Sequence, residues 1–301
     1  MHVYNIDALM RTPLTDSEIY QYDDIHISTN GDFVYFNNTK KGLTVTKLED
    51  ESSQFHGRPK NCKYVVVKDG IISYDYWNSS STPVLWSSDF TQELSTFHQL
   101  AGMNNCLSVS DEIIACISDE KCVKFFNVST KQIVHEMSFN ERDVTVIACS
   151  IKYHVLMEGY GDKIFLWKDR KKIDAWTNLF CQAALKETNQ AEFSPEGNTL
   201  ALTCVDIDKL FVFDIVSASM LHPISFAGEC DCFEFFDEKN LICSFLKTIY
   251  LINVERGEIL ACLKPGVWPF PISLCRKQNI VCVGLERAGN FQSLEIILPR
   301  M

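Results

Sequence analysis

Cysteine is the residue type in this chain whose chemistry would be easiest to recognise, because thirteen are present. Cys230 and Cys232 form one close pair, and Cys275 and Cys282 form another, so each pair could bind a metal or exchange a disulfide. Neither spacing matches the Cys-x-x-Cys knuckle of a zinc site. Many other cysteines lie in apolar stretches such as Ala115-Cys116-Ile117, where an unpaired thiol behaves as a small hydrophobic residue. We therefore predict structural thiols, with no metal and no cofactor.

Motifs for catalysis are missing from the sequence. It has no Gly-rich phosphate loop, no Gly-x-Ser-x-Gly nucleophile elbow and no His-Glu-x-x-His zinc motif. The seven histidines are scattered, and no two are spaced to share a metal ion. We predict a protein that is not an enzyme and has no catalytic residues.

Side chains suited to binding a partner are better represented, because aromatic residues occur in short segments rich in proline or in polar residues. Residues 266–271 hold two aromatics that alternate with two prolines, and residues 74–83 hold an aromatic cluster followed by a polar tip. Aromatic side chains are frequent among binding hot spots, and proline lowers the entropy cost of ordering a loop. The predicted partner-binding residues are Trp268, Phe270, Tyr76, Trp77 and, from residues 176–180, Phe180. In the alternative interpretation, Trp77 and Trp268 pack between structural elements.

The elements that must position these residues repeat along the chain. The residue that ends the third predicted strand of each copy is Thr46, Trp86, Phe126, Trp167, Phe213, Ile252 or Ile297. Successive copies are therefore 39 to 46 residues apart. A period in the forties built from short strands indicates a β-propeller. Because the repeat runs from end to end, we predict a single domain over residues 1–301.

The fifth copy is the most regular. Its first strand runs into the turn Ser194-Pro195-Glu196-Gly197, its second strand covers residues 199–205, and its third ends in Phe213-Asp214. This phrase resembles the WD40 repeat, whose signature is an apolar strand followed by Ser-Pro-x-Gly and, later, an apolar strand that ends in Trp-Asp. No copy carries the Gly-His dipeptide that often opens such a repeat. The resemblance implies an all-β, seven-bladed, WD40-like β-propeller.

The seventh copy contains three predicted strands, over residues 272–275, 280–285 and 291–298. A fourth strand would be needed to complete this blade. We predict that His2 to Asn5 supply it and close the ring, because closure removes the exposed strand edges that promote aggregation.

The charge of the chain limits its partners. The formal net charge is −11 and the isoelectric point is about 5.1. Such a protein repels phosphate backbones and anionic lipid surfaces, so we predict neither nucleic acid nor membrane as a partner. The sequence shows no secretory signal and no apolar run of the ~20 residues that span a membrane. Together with the unpaired cysteines, this favours the reducing cytoplasm or nucleus.

The WD40 resemblance implies recognition of other proteins. We predict a non-enzymatic scaffold or recognition subunit of a larger complex, which docks a positively charged peptide or protein segment on one face of the propeller. One alternative is a hydrolase-like propeller enzyme with a dispersed polar site at the central channel. A phosphoinositide-binding propeller is a further alternative, but its paired arginines are missing at the nearest match, residues 285–289.

Overall fold

The computed structural model describes residues 24–38, 42–49, 52–57, 62–75, 82–118, 122–139, 144–159, 163–169, 171–183, 185, 187–205, 207–226, 230–246, 248–264, 268–277, 280–287 and 290–297. These residues fall into two compact units. Unit 1 consists of the described residues within Met1–Cys106, Lys247–Ile249 and Leu263–Met301. Unit 2 consists of the described residues within Leu107–Leu246 and Tyr250–Cys262.

Seven antiparallel sheets follow one another along the chain, and their strands pair in the order in which they occur, except that the last strand of the fifth sheet pairs with the third strand of that sheet. Sheet 1 contains β1 (Asp24–Ile27), β2 (Phe33–Asn38), β3 (Gly42–Lys47) and β4 (Ser53–Gly57). Sheet 2 contains β5 (Cys62–Val67), β6 (Gly70–Asp75), β7 (Val84–Trp86) and β8 (Glu93–Thr96). A short 3-10 helix (His98–Leu100) precedes sheet 3, which contains β9 (Met103–Ser108), β10 (Ile113–Ser118), β11 (Cys122–Asn127) and β12 (Gln132–Ser138).

The remaining sheets follow the same plan. Sheet 4 contains β13 (Val144–Cys149), β14 (His154–Gly159), β15 (Lys163–Lys168) and β16 (Lys171–Lys172), and helix α1 (Asp174–Gln182) comes after it. Sheet 5 contains β17 (Thr188–Phe193), β18 (Thr199–Cys204), β19 (Lys209–Asp214), β20 (Ser219–Met220) and β21 (Ile224–Ser225). Sheet 6 contains β22 (Cys230–Phe235), β23 (Asn240–Phe245), β24 (Thr248–Asn253) and β25 (Glu258–Leu263), and sheet 7 contains β26 (Trp268–Cys275), β27 (Ile280–Arg287) and β28 (Asn290–Ile297).

Four-stranded meanders repeated in this way are the blades of a propeller, so the fold is all-β and of the β-propeller type. The predicted number of seven complete blades is wrong, because six sheets have four or five strands and sheet 7 has three. Each complete sheet takes its outer strand from residues that follow its third strand, and no such strand follows β28 within the described range. The N-terminal strand predicted at His2 to Asn5 lies outside the described residues.

The turn between the first and second strand of a sheet is fixed by a repeated side-chain hydrogen bond. In sheet 5 the hydroxyl of Ser194 accepts from the backbone N–H of Thr199 at 3.0 Å. Ser28, Ser110, Ser150 and Asp237 accept in the same way from the first residue of the strand that follows them. The Ser of the Ser-Pro-x-Gly phrase therefore has a structural role, because its hydroxyl forms a hydrogen bond across the turn between the two strands.

The turn after the third strand uses a second repeated bond. The side chains of Asn127, Asp214 and Asn253 each accept from the backbone N–H three residues later, at 2.8, 2.6 and 3.0 Å. The next residue in each turn has a positive φ, 56° at Lys131, 51° at Ala218 and 65° at Gly257. This bond explains why the third strand ends in Asp or Asn, since either side chain stabilises such a turn. The Ser217 amide also holds the pKa of Asp214 below its usual range.

Within unit 2, neighbouring sheets pack face to face. One core contains Leu156 and Leu166 of sheet 4 together with Leu200, Phe211 and Phe213 of sheet 5. Two equivalent cores join sheet 3 to sheet 4 and sheet 5 to sheet 6. Every residue of β18 and β23 is buried, because a middle strand is covered on both faces.

Polar bridges also join the innermost strands of sheets 5 and 6 in unit 2. The amide group of Gln190 donates to the carbonyl of Phe233 at 2.7 Å and accepts from its N–H at 3.1 Å. Glu192 accepts from the N–H of Phe235 at 3.2 Å. These side chains pair with backbone groups of the next sheet and so fix its register as well as its distance.

Within unit 1, sheet 1 packs against sheets 2 and 7. The N–H of Ile27 donates to the hydroxyl of Ser273 at 3.1 Å, and Cys275 lies in one core with Ile25 and Val34. On the other side, the hydroxyl of Thr29 donates to the carbonyl of Lys68 at 3.1 Å. The first and last sheets of the chain are therefore neighbours.

Candidate functional site: a cleft beside strand β12

A cleft of about 430 Å³ lies beside the outer strand of sheet 3 in unit 2. Four of its lining residues are consecutive in β12, from Ile133 to Glu136, and the fifth is Asp169 in the turn between β15 and β16. Aliphatic side chains, an imidazole and carboxylates thus converge on one space. Pockets with this mixture can take a side chain that has an apolar stem and a polar tip.

The aliphatic part of the cleft results from an irregularity in β12. Phe125 pairs with His135 and Phe126 pairs with Ile133, so Val134 is the extra residue of a β-bulge. Ile133 and Val134 are 37% and 43% exposed. Regular alternation would turn these neighbours to opposite faces, whereas a bulge re-aims one of them. The bulge therefore brings two exposed aliphatic side chains to the same site.

His135 is held beneath the cleft by aromatic rings. It stacks on Tyr153 with ring centroids 4.5 Å apart, and its centroid lies 5.9 Å from that of Phe125. Tyr153 reaches it from a turn with a φ of 60°, which is uncommon for a residue with a side chain. The Nε2 atom of His135 is buried and has no hydrogen-bond partner among the residues that the structure describes.

The two carboxylates of the cleft come from different sheets. Glu136 accepts a hydrogen bond from the thiol of Cys122 at 3.4 Å, and burial together with this carboxylate raises the pKa of Cys122. Asp169 has a φ of 49° and lies in the tight turn between two exposed lysines, Lys168 and Lys171. The lining of the cleft is therefore acidic.

The sequence-predicted binding residues that the structure describes lie in two different elements. Trp268 and Phe270 lie in strand β26, where Trp268 pairs with Glu286, so they belong to a strand and not to the predicted loop. The register shifts between Pro269 and Ile272, which accommodates prolines that cannot donate a ladder hydrogen bond. Tyr76 and Trp77 lie outside the described residues.

Phe180 is in the core and not at the surface, which corrects the prediction of a contact residue. It is 2% exposed on helix α1, and its ring lies 5.4 Å from that of Trp176 and 5.3 Å from that of Phe213. Residues 176 and 180 are one helical turn apart and face the same side. This helix covers the outer part of sheet 4, where β16 has only two residues. Trp176 and Phe180 therefore bury apolar surface that a longer outer strand would otherwise cover.

The sequence places the cleft residues in an outer strand but does not identify them as a binding site. A signal is present, because Ile133 and Val134 are consecutive apolar residues where an outer strand should alternate. What the sequence cannot provide is Asp169, which lies 33 positions further along the chain from Glu136. Only the packing of sheet 4 beside sheet 3 unites them.

A serine–histidine pair elsewhere in unit 2 has the composition of a nucleophilic dyad. Ser150 Oγ lies 3.1 Å from Nδ1 of His154. The same oxygen accepts from the backbone N–H groups of Lys152 and His154, and the Ser150 and His154 side chains are buried. Burial, with a smaller effect of Lys168, lowers the pKa of His154 to about 4. The pair stabilises a hairpin turn with a neutral imidazole.

This buried imidazole predicts a pH dependence of stability. Its pKa is about 4 in the folded protein against 6.5 normally, so between these values the unfolded chain binds more protons. We expect the free energy of unfolding to fall by about 1–2 kcal/mol between pH 7 and pH 5 because of this group. Urea unfolding of wild type and His154→Gln at both pH values measures it, and the variant should lose less stability. Equal losses in the two proteins would contradict the assignment.

Neither a metal centre nor a membrane span is found in the parts of the chain that the structure describes. No three His, Cys, Asp or Glu side chains there are grouped to hold a metal ion. No helix among those residues has both the length and the apolar character needed to cross a bilayer. None of the cysteines whose side chains the structure describes is joined in a disulfide.

Comparison with known proteins adds no functional assignment. No protein-family model matches the chain, and a search among curated proteins finds no similar sequence.

Proposed function

We propose that this protein is a WD40-like interaction scaffold without enzymatic activity, and that it docks a positively charged peptide segment in the cleft beside β12. The observation that carries the proposal is the cleft lining, which combines two exposed aliphatic side chains with two carboxylates. An extended segment with a lysine or arginine next to an aliphatic residue would match both parts.

Each part of the cleft would contribute differently. Ile133 and Val134 would bury apolar area against the ligand, which contributes about 25 cal/mol per Å² before the entropy costs of binding are subtracted. Glu136 and Asp169 would pair with the cation and set its position, since exposed ion pairs add little energy but favour partners of opposite charge. The net charge of −11 attracts the same class of ligand over longer distances.

The cellular setting is part of the proposal. The cysteines of the described sheets are thiols rather than disulfides, which supports a reducing compartment, the cytoplasm or the nucleus. A scaffold of this type would act as a subunit of a larger complex. Trp268, Phe270, Tyr76 and Trp77 stay predicted contacts for a further partner surface.

Panning a library of random peptides on the immobilised protein tests the proposal. We expect selected peptides to carry Lys or Arg next to an aliphatic residue. Val134→Lys should weaken their binding at least tenfold, or about 1.4 kcal/mol, because it removes apolar surface and repels the cation. Fluorescence anisotropy of labelled peptides gives the dissociation constants.

The matched control is Val216→Lys, which makes the same change at a valine that is 79% exposed in a turn of sheet 5. It should bind the selected peptides as the wild type does. Selection of acidic peptides, or equal weakening by both variants, would show that this cleft is not the docking site.

A further inference from the structure

Strand β25 presents an apolar outer edge to solvent. It lies at the end of sheet 6, and its residues from Glu258 to Cys262 are all exposed. Ile259 and Leu260 are 51% and 38% exposed, and as neighbours in a strand they point to opposite faces of the sheet. An edge strand that is apolar on both faces is a template for pairing with another strand.

The outer strands of sheets 3, 4 and 5 carry features that hinder such pairing. β16 has two residues, β20 and β21 are separated by a segment that contains Pro223, and β12 is interrupted by the bulge at Val134. Short strands, prolines and bulges are the usual means by which proteins protect an edge. β25 has six residues and contains neither proline nor glycine.

The edge of β25 is complementary to itself. When two copies run antiparallel with Ala261 of each copy on a two-fold axis, Leu260 of one copy lies opposite Cys262 of the other. In the same register Glu258 lies opposite Lys264, so two ion pairs close the ends. A parallel alignment would instead place Glu258 opposite Glu258, which is unfavourable. Glu258 and Lys264 are both exposed, and within its own chain Glu258 makes a long ion pair, 3.9 Å, with Arg256.

We propose that the protein forms a two-fold symmetric dimer by antiparallel pairing of the β25 edges, with Ala261 on the axis. The partner is a second copy of this chain, because the strand and the residue that follows it supply both halves of each charge pair and of each apolar contact. Such an interface is isologous and closes at two subunits. A six-residue edge buries less than the roughly 1,000 Å² of a stable interface, so the dimer is weak and concentration-dependent.

Disulfide trapping tests the register. Ala261→Cys is made in a background that lacks the exposed Cys181 and Cys262, with serine at position 181 and alanine at position 262 so that an apolar side chain still lies opposite Leu260. Paired Cα atoms in antiparallel strands are about 4.5–5.5 Å apart, which suits a disulfide. Under mild oxidation at micromolar concentration we expect the cross-linked dimer to form at least tenfold faster than for Ala175→Cys in the same background, because pairing raises the effective thiol concentration. Ala175 is an exposed residue of helix α1.

Charge reversal tests the ends of the interface. Glu258→Lys or Lys264→Glu alone, added to the Ala261→Cys protein, puts like charges opposite each other and should slow trapping about fivefold. An equal mixture of the two variants, one of them carrying a size tag, restores both pairs and should give the mixed dimer at the parent rate. Trapping of Ala261→Cys no faster than of Ala175→Cys would overturn the proposal. So would single charge variants that cross-link as fast as the parent.

Discussion

Replacement of Phe213 with alanine is expected to lower the free energy of unfolding by about 3–5 kcal/mol, the usual cost of emptying a buried aromatic site. Phe213 is fully buried near the end of β19. The centroid of its ring lies 5.9 Å from that of Trp176 and 5.3 Å from that of Phe180. Both rings belong to helix α1, so the substitution removes the surface on which the helix rests. Little collapse of the cavity is expected because its other walls are strands of two sheets.

Urea unfolding followed by circular dichroism measures this loss. The control is Val216→Ala, three residues further along the chain, where the side chain is 79% exposed and truncation should change stability by less than about 0.5 kcal/mol. A loss below about 1.5 kcal/mol for Phe213→Ala would mean that the three rings do not form the packing centre of sheets 4 and 5.

Replacement of Gly70 with alanine is expected to have an effect of similar size, through a different cause. Gly70 begins β6, and a Cβ atom built there would lie 1.9 Å from the carbonyl oxygen of Trp86. That oxygen belongs to the backbone of β7, which pairs with β6 one residue away, at Ile71. Relief of the overlap must separate two paired strands, so we expect a loss of about 3 kcal/mol or more in unfolding free energy.

The same change at Gly57 provides the control. A Cβ atom there would meet nothing closer than Phe55 Cε1 at 3.8 Å, an ordinary contact. Gly57→Ala is therefore expected to be neutral or to stabilise by up to about 1 kcal/mol, because alanine restricts the unfolded chain. Chemical denaturation of both variants distinguishes the steric cause from a general cost of adding a methyl group. Similar losses at the two positions would contradict the steric cause.

The strand pattern is predictable from the sequence because its determinants are local. Serines such as Ser194 and third-strand termini such as Asp214 make hydrogen bonds within five residues of themselves. Alternation of apolar residues then assigns each strand a buried face. For this reason the repeat, the hairpins and the propeller class follow from the order of the residues.

The departures from prediction all concern elements whose structure depends on distant residues. Residues 176–180 form a helix because Trp176 and Phe180 have Phe213 of another sheet to pack against. Trp268 and Phe270 join a strand because β27 is available for pairing. The number of strands in sheet 7 likewise depends on which segment pairs with β28, and local pattern cannot specify a partner.

The sequence by itself thus determined the all-β class, the length of the repeat, the turn chemistry and the acidic character that favours a cationic ligand, since each follows from composition or from neighbours along the chain. Tertiary structure alone decided where exposed side chains meet. It placed Asp169 beside Ile133 and Glu136, buried Phe180, and set β25 at the edge of its sheet. The physical reason is that residues far apart in the chain meet only when sheets pack against one another, so their distances are set by that packing rather than by spacing in sequence.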